Sequence, residues 1–249
     1  MAPQDDEPPR YVLLRNPGDN ERRCIARHDL GYYGCVVVAG IYEAPSQLCL
    51  PLTAKYFYPA LKHCIDAHPV LSAAVEDAST ETPKFVRPAQ LDLSRHIVML
   101  GNSSSEDEEL LIKSAFESFL DKFFQHDGLL PPWSVAILQL PVEEGTAGTR
   151  MLVLFSYSHS HGDGTAGLAF HKTFLRGLQD APVAQEQESP LYEPPDRPLL
   201  PSLEEAANLR ISWSYLLGPL LLEYFPSYIT NWLGLSPICL LYTSDAADE

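Results

Sequence analysis

The chain has 249 residues, 45% of them hydrophobic and 20% charged, with a net charge of −16. That is enough apolar material for one large domain or two small ones. The acidic balance argues against nucleic acid and anionic membrane surfaces as partners, because both select clustered Lys and Arg. The five cysteines (24, 35, 49, 64 and 239) fit no zinc or CxxC spacing, and their odd number disfavours a disulfide framework.

In chain order, residues 1–20 are polar and Pro-rich at the start and read as a flexible arm. No apolar core follows the first residues, so they are not a signal peptide. "CVVVAGIYEA" (35–44) is β-branched and reads as a strand. "PLTAKYFYPALKHCIDAHP" opens on a proline suited to a helix start, and Leu52, Phe57, Leu61 and Ile65 follow helical spacing. "VLSAAVE", "KFVRPA" and "RHIVML" read as short strands. "SSSEDEELLIKSAFESFLDKFFQ" predicts an amphipathic helix, with serine caps and Leu110, Leu111, Ala115, Phe119 and Phe123 on one face. "PPWSVAILQL" and "TRMLVLFSYSHS" follow as strands. The second is apolar throughout and is expected to be central, covered on both faces. "GTAGLAFHKTFLRGL" predicts a helix.

Residues 180–202 are Pro- and Glu-rich and read as a crossover linker after a lobe spanning 21–179. Residues 203–238 form an apolar, aromatic segment, interrupted by Pro219, Glu223, Pro226 and Asn231. These breaks favour a helix packed on another lobe, or peripheral membrane contact through 211–235, over a membrane span. The last eleven residues, "CLLYTSDAADE" (239–249), are similar to the translation of a transposon-derived sequencing adapter. They are set aside as a scar, with the expectation that the natural protein continues beyond Ile238.

The chemistry concentrates in His159-Ser160-His161-Gly162-Asp163-Gly164, which ends an apolar strand and opens a helix. Sites in α/β folds are built at such junctions. Three readings compete. The cluster could be a polar turn whose histidines satisfy backbone groups. It could be the H-x-H-x-D ligand set of a zinc hydrolase (His159, His161, Asp163), although the next residue of the metallo-β-lactamase-type motif is Gly164 here and only His171 follows. Or it could be H-x-x-x-D-G, pairing His159 with Asp163.

The third pattern resembles the H-x-x-x-D-G signature of CoA-dependent acyltransferases with the chloramphenicol-acetyltransferase-like fold. "RHDLGYYGCVVVAGIYE" (27–43) and "LRISWSYLLGPLLLEYFPSY" (209–228) further resemble the fungal alcohol O-acetyltransferase family. The resemblance implies an α/β lobe of the α+β two-layer type, a mixed β-sheet flanked by helices, with a second lobe beyond the chain. It implies acetyl transfer from acetyl-CoA to an alcohol, with acetyl-CoA as co-substrate and no metal or permanently bound cofactor. A neutral imidazole can take an alcohol's proton near neutral pH, and this role falls to His159. By the same resemblance Asp163 holds the loop by pairing with a basic residue. A helix N-cap role for Asp163 is compatible with that. Gly162 and Gly164 would let the backbone turn beside a ligand. Tyr157, Ser158 and His161 could line a substrate channel. A catalytically dead homologue serving as a binding module is the non-enzyme alternative. The expected protein is cytoplasmic, with peripheral contact at endoplasmic reticulum or lipid droplet, and monomeric at full length. The lobe by itself is expected to be inactive.

Overall fold

The run Thr149–Tyr157 forms strand β8 at the middle of a four-stranded mixed sheet of order β2-β8-β7-β6. The computed structural model describes residues 11–44, 52–101, 107–120, 123–124, 129–141, 148–180, 189–207 and 217. β8 runs antiparallel to β2 (Val36–Ala44), with Val36 opposite Tyr157 and Ala44 opposite Thr149. It is also antiparallel to β7 (Trp133–Leu140), with Trp133 opposite Tyr157. β7 is parallel to β6 (Ile97–Leu100), as expected when a helix separates two strands of one sheet.

That helix is α3 (Glu108–Leu120). Strand periodicity divides β8 between two cores. Leu152 and Leu154 point to α3 and meet Leu111, Ala115 and Phe119. Met151, Val153, Phe155 and Tyr157 point to the other face, covered by α2 (Ala54–Ala67) and α4 (Gly164–Asp180). Helices therefore flank the mixed sheet as expected, but on both faces, giving three layers at this sheet where two were expected. Leu110, expected on the buried face of α3, is exposed. The helix is capped by Asp107, whose Oδ1 accepts the N–H groups of Glu109 (3.0 Å) and Leu110 (3.4 Å). The serines expected to cap it lie outside the described residues.

Aromatic rings fix α4 against β8. Phe155 stacks on Phe170 with centroids 3.8 Å apart, Phe170 on Phe174 at 5.4 Å, and Phe174 on Phe57 of α2 at 6.2 Å. Fully burying each such ring is worth about 1.5–3 kcal/mol. Phe170 and Phe174 are four residues apart, so both fall on one helical stripe. Glycines bring the layers close. A Cβ on Gly177 would lie 2.9 Å from the Ala60 Cα of α2, and one on Gly167 would lie 2.4 Å from the Val38 Cγ2 of β2.

A second sheet, β1-β4-β3, and a two-stranded pair, β5-β9, complete residues 1–202. β1 is Tyr11–Arg15, and it is followed by α1 (Asp19–Asp29). The expected arm over 1–20 is thus ordered in its second half. The reason is pairing: Tyr11, Val12 and Leu13 sit opposite Pro88, Arg87 and Val86 of β4 (Lys84–Pro88). β3 is Ala74–Glu76 and β5 is Leu91–Asp92. The expected linker also contains structure. β9 (Leu191–Tyr192) pairs with β5, and the buried Arg87 donates to Ser72 Oγ (3.1 Å), to Asp196 Oδ1 (3.1 Å) and to the Arg197 carbonyl. Arg197 in turn donates to the Asp66 carbonyl at 2.5 Å.

The second compact unit, Leu203–Glu249, is described only through the short helix α5 (Leu203–Ala206), residue 207 and residue 217. The segments 211–235 (Leu217 apart) and 239–249 lie outside the described residues. Among the described residues no helix is long and apolar enough to cross a membrane.

Candidate active site

β8 ends at Tyr157, and the next seven residues carry the chain into α4. Ser158 is 0% exposed, with its N–H on the Pro132 carbonyl at 2.9 Å and its own carbonyl accepting the His161 N–H at 2.9 Å. It is therefore a buried hinge of the loop. Its expected place on a substrate channel is corrected, since all of its surface is taken by protein.

The two histidines diverge. His161 turns inward. Its Nε2–H donates to the Ala73 carbonyl at 2.9 Å, which leaves Nδ1 to accept from Ser160 Oγ at 2.9 Å. Ser160 Oγ can then accept from Ser158 Oγ, also at 2.9 Å. The ring meets Phe85 edge-on. His159 turns outward and is exposed. Among the described residues nothing hydrogen-bonds its nitrogens, and its ring lies against Tyr33, centroids 5.4 Å apart. Of the two, His159 has an imidazole available for chemistry.

Asp163 is the N-cap of α4. Its Oδ1 accepts the Ala166 N–H at 3.0 Å, and its carbonyl accepts the N–H groups of Ala166 (3.1 Å) and Gly167 (3.3 Å). The same carbonyl accepts from the Tyr157 hydroxyl. Burial pushes the Tyr157 phenol up to about 12, so it remains a donor. Among the described residues no basic side chain pairs with Asp163, and its carboxylate is engaged as the helix cap. A Cβ on Gly162 would stand 2.6 Å from the Ala166 Cβ and 3.3 Å from the Tyr157 ring, so the loop folds back too tightly for a side chain there. Gly164 has open space around its Cβ position. Gly167, by contrast, stands where α4 meets Val38 of β2 too closely for a side chain.

His159, His161 and Asp163 do not converge on one point: one faces outward, one is tied to Ala73, and one caps a helix. Among the described residues no group of three or more His, Cys, Asp or Glu could hold a metal ion. This geometry does not support the zinc-hydrolase reading.

Beside the loop, Tyr157 and His161 line a cavity of about 70 Å³ with His68, Leu71, Trp133 and Phe170 among its other walls. The polar atoms of His68 and His161 are partly spent on protein. His68 Nε2–H donates to Thr173 Oγ1 at 2.8 Å, because that hydroxyl gives its proton to the Ala169 carbonyl. Burial lowers the His68 pKa, with His63 adding to the shift.

Sequence reasoning missed Tyr33, Arg27 and Gly167. Arg27 places its guanidinium 5.6 Å from the Tyr33 centroid. The available signal was the Leu30-Gly31 step, which reads as a helix stop.

No protein-family model matches the chain. An uncharacterised protein of Schizosaccharomyces pombe is 27% identical over 211 residues, covering 84% of this chain and 42% of the relative. Probable alcohol acetyltransferase crmB of Aspergillus fumigatus is 28% identical over 208 residues, covering 78% of this chain and 44% of the relative. Among solved structures, the tallysomycin biosynthesis protein TlmII superposes with a TM-score of 0.50 at 9% identity, over 67% of this chain and 38% of that one. This chain has the chloramphenicol-acetyltransferase-like fold. The trichothecene 15-O-acetyltransferase TRI3 of Fusarium sporotrichioides also matches, at a TM-score of 0.49 and 15% identity, over 94% of this chain and 45% of its own. The chain spans less than half the length of the curated relatives it matches.

Proposed function

We propose that this chain is the first lobe of an O-acyltransferase that moves an acetyl group from acetyl-CoA to an alcohol, with His159 as general base. The observation that carries the reading is the divergence of the two histidines. Of the two, His159 presents imidazole nitrogens without a hydrogen bond among the described residues at the mouth of the β8–α4 junction, while His161 is held by Ala73 and Ser160. His159 takes the alcohol proton as the oxygen attacks the thioester carbonyl. The tetrahedral intermediate then collapses, the C–S bond breaks, and the imidazolium returns the proton to the CoA thiolate. Positioned general-base catalysis contributes roughly 10²–10⁴-fold. Asp163 acts one step back, by fixing the turn from which His159 projects. The cavity lined by Tyr157 and His161 has room for a short aliphatic portion of the alcohol, since its walls offer mainly ring faces and methyl groups.

The test is CoA release from acetyl-CoA with a panel of primary and secondary alcohols, using the protein at the length of its curated relatives. His159→Ala should abolish alcohol-dependent release with folding intact. Retained turnover in that variant would end the reading.

A further inference from the structure

We propose that Arg27 and Tyr33 form a platform that sets the orientation of His159, so that Tyr33 is a positioning residue for the reaction. This rests on the reading of His159 as the base. An imidazole on an exposed loop, with no hydrogen bond to its nitrogens among the described residues, has only ring contact to restrict its side-chain rotation. That contact is Tyr33, tilted 50° to the imidazole at 5.4 Å. Tyr33 is itself held from its other neighbour, Arg27, whose guanidinium lies within cation–π range of the ring.

The backbone places Tyr33 deliberately. α1 ends in a Schellman motif: the Tyr32 N–H reaches the Arg27 carbonyl at 2.9 Å, the Gly31 N–H reaches the His28 carbonyl at 2.9 Å, and Gly31 sits at φ +76°. Three residues beyond Tyr33, Val36 is already paired with Tyr157, two residues before His159. Residues 32–35 are thus pinned at both ends, by the α1 terminus and by β8, and Tyr33 is carried to the loop. Tyr33 is only 38% exposed, whereas its neighbour Tyr32 is 76% exposed. The adjacent tyrosine is therefore an internal control.

The experiment uses the protein at the length of its curated relatives, acetyl-CoA, and 3-methylbutan-1-ol or water as acceptor, with ¹³C-histidine spectra of the same samples. Tyr33→Ala is expected to lower kcat about tenfold or more, with KM for acetyl-CoA unchanged, because orientation and not binding is lost. Tyr33→Phe should restore kcat, and Tyr32→Ala should leave it unaltered. Arg27→Met should have a smaller effect that disappears when Tyr33 is already Ala, since it acts through that ring. Tyr33→Ala should also move the His159 ring resonance, and Tyr33→Leu serves if the alanine variant unfolds. Equal losses in Tyr33→Phe and Tyr33→Ala, or an unmoved His159 resonance with wild-type kcat in Tyr33→Ala, would overturn the platform. An active His159→Ala would overturn the base assignment itself and is told apart by that variant alone.

Discussion

The Nε2–H of His161 and the carbonyl of Ala73, 88 residues apart in sequence, meet at 2.9 Å and tie the β8–α4 loop to the strand region before β3. This bond separates the histidines by their contacts, because His159, two residues earlier, makes none of this kind among the described residues.

His161→Ala is therefore expected to be a stability variant. It leaves a partly buried carbonyl and the Ser160 hydroxyl without their partner, a loss of about 1–3 kcal/mol. Thermal unfolding of His159→Ala and His161→Ala side by side checks this. His161→Ala should melt lower, and His159→Ala should melt with the wild type. The reverse order would exchange the two assignments.

Asp163 gives a second contrast. As an N-cap its carboxylate oxygen can be replaced by the amide oxygen of asparagine, and Asp163→Asn should keep nearly all of the stability. Asp163→Ala removes the acceptor and should cost about 1 kcal/mol. A large drop in melting temperature for the asparagine variant would instead indicate that the charge is needed, as it would be for a buried ion pair.

The glycines divide in the same way. Gly167→Ala drives a methyl into Val38 and the Tyr157 hydroxyl and should cost about 1–3 kcal/mol. Gly164→Ala meets open space at the start of α4 and should be neutral or stabilising by up to about 1 kcal/mol. If Gly164→Ala loses turnover without losing stability, that glycine serves substrate approach and not the fold. Urea unfolding and CoA release on the pair decide between these outcomes.

Acid sensitivity should arise at the α2–α4 contact and at the contact between β2 and α4. Burial lowers the pKa of both His68 and His171 from 6.5. A histidine depressed in the folded state binds more protons when unfolded, so its contribution is complete above pH 6.5. It is lost as pH falls below that value toward the folded-state pKa. His68→Gln, which can still donate to Thr173, should flatten the decline of melting temperature between about pH 6.5 and 5. An unchanged slope would place the acid sensitivity elsewhere.

The strand-loop-helix unit around His159 was legible in the sequence because its cause is local. Apolar continuity makes β8 a doubly covered strand, and the Phe170 and Phe174 spacing gives α4 its buried stripe. β1 and β9 were not legible: Tyr11–Arg15 and Leu191–Tyr192 become strands only by pairing with β4 and β5, far away in sequence. The sequence also named the motif residues without ranking them. His159, His161 and Asp163 are the same residue types that would serve a metal, a base or a cap, and spacing alone leaves all three open. Tertiary structure gives each of them different contacts. Ala73 takes His161, the first turn of α4 takes Asp163, and the end of α1 brings Tyr33 to His159. The physical reason is that an imidazole's availability depends on which of its nitrogens are already engaged, and the carbonyl that takes the His161 Nε2–H lies 88 residues away.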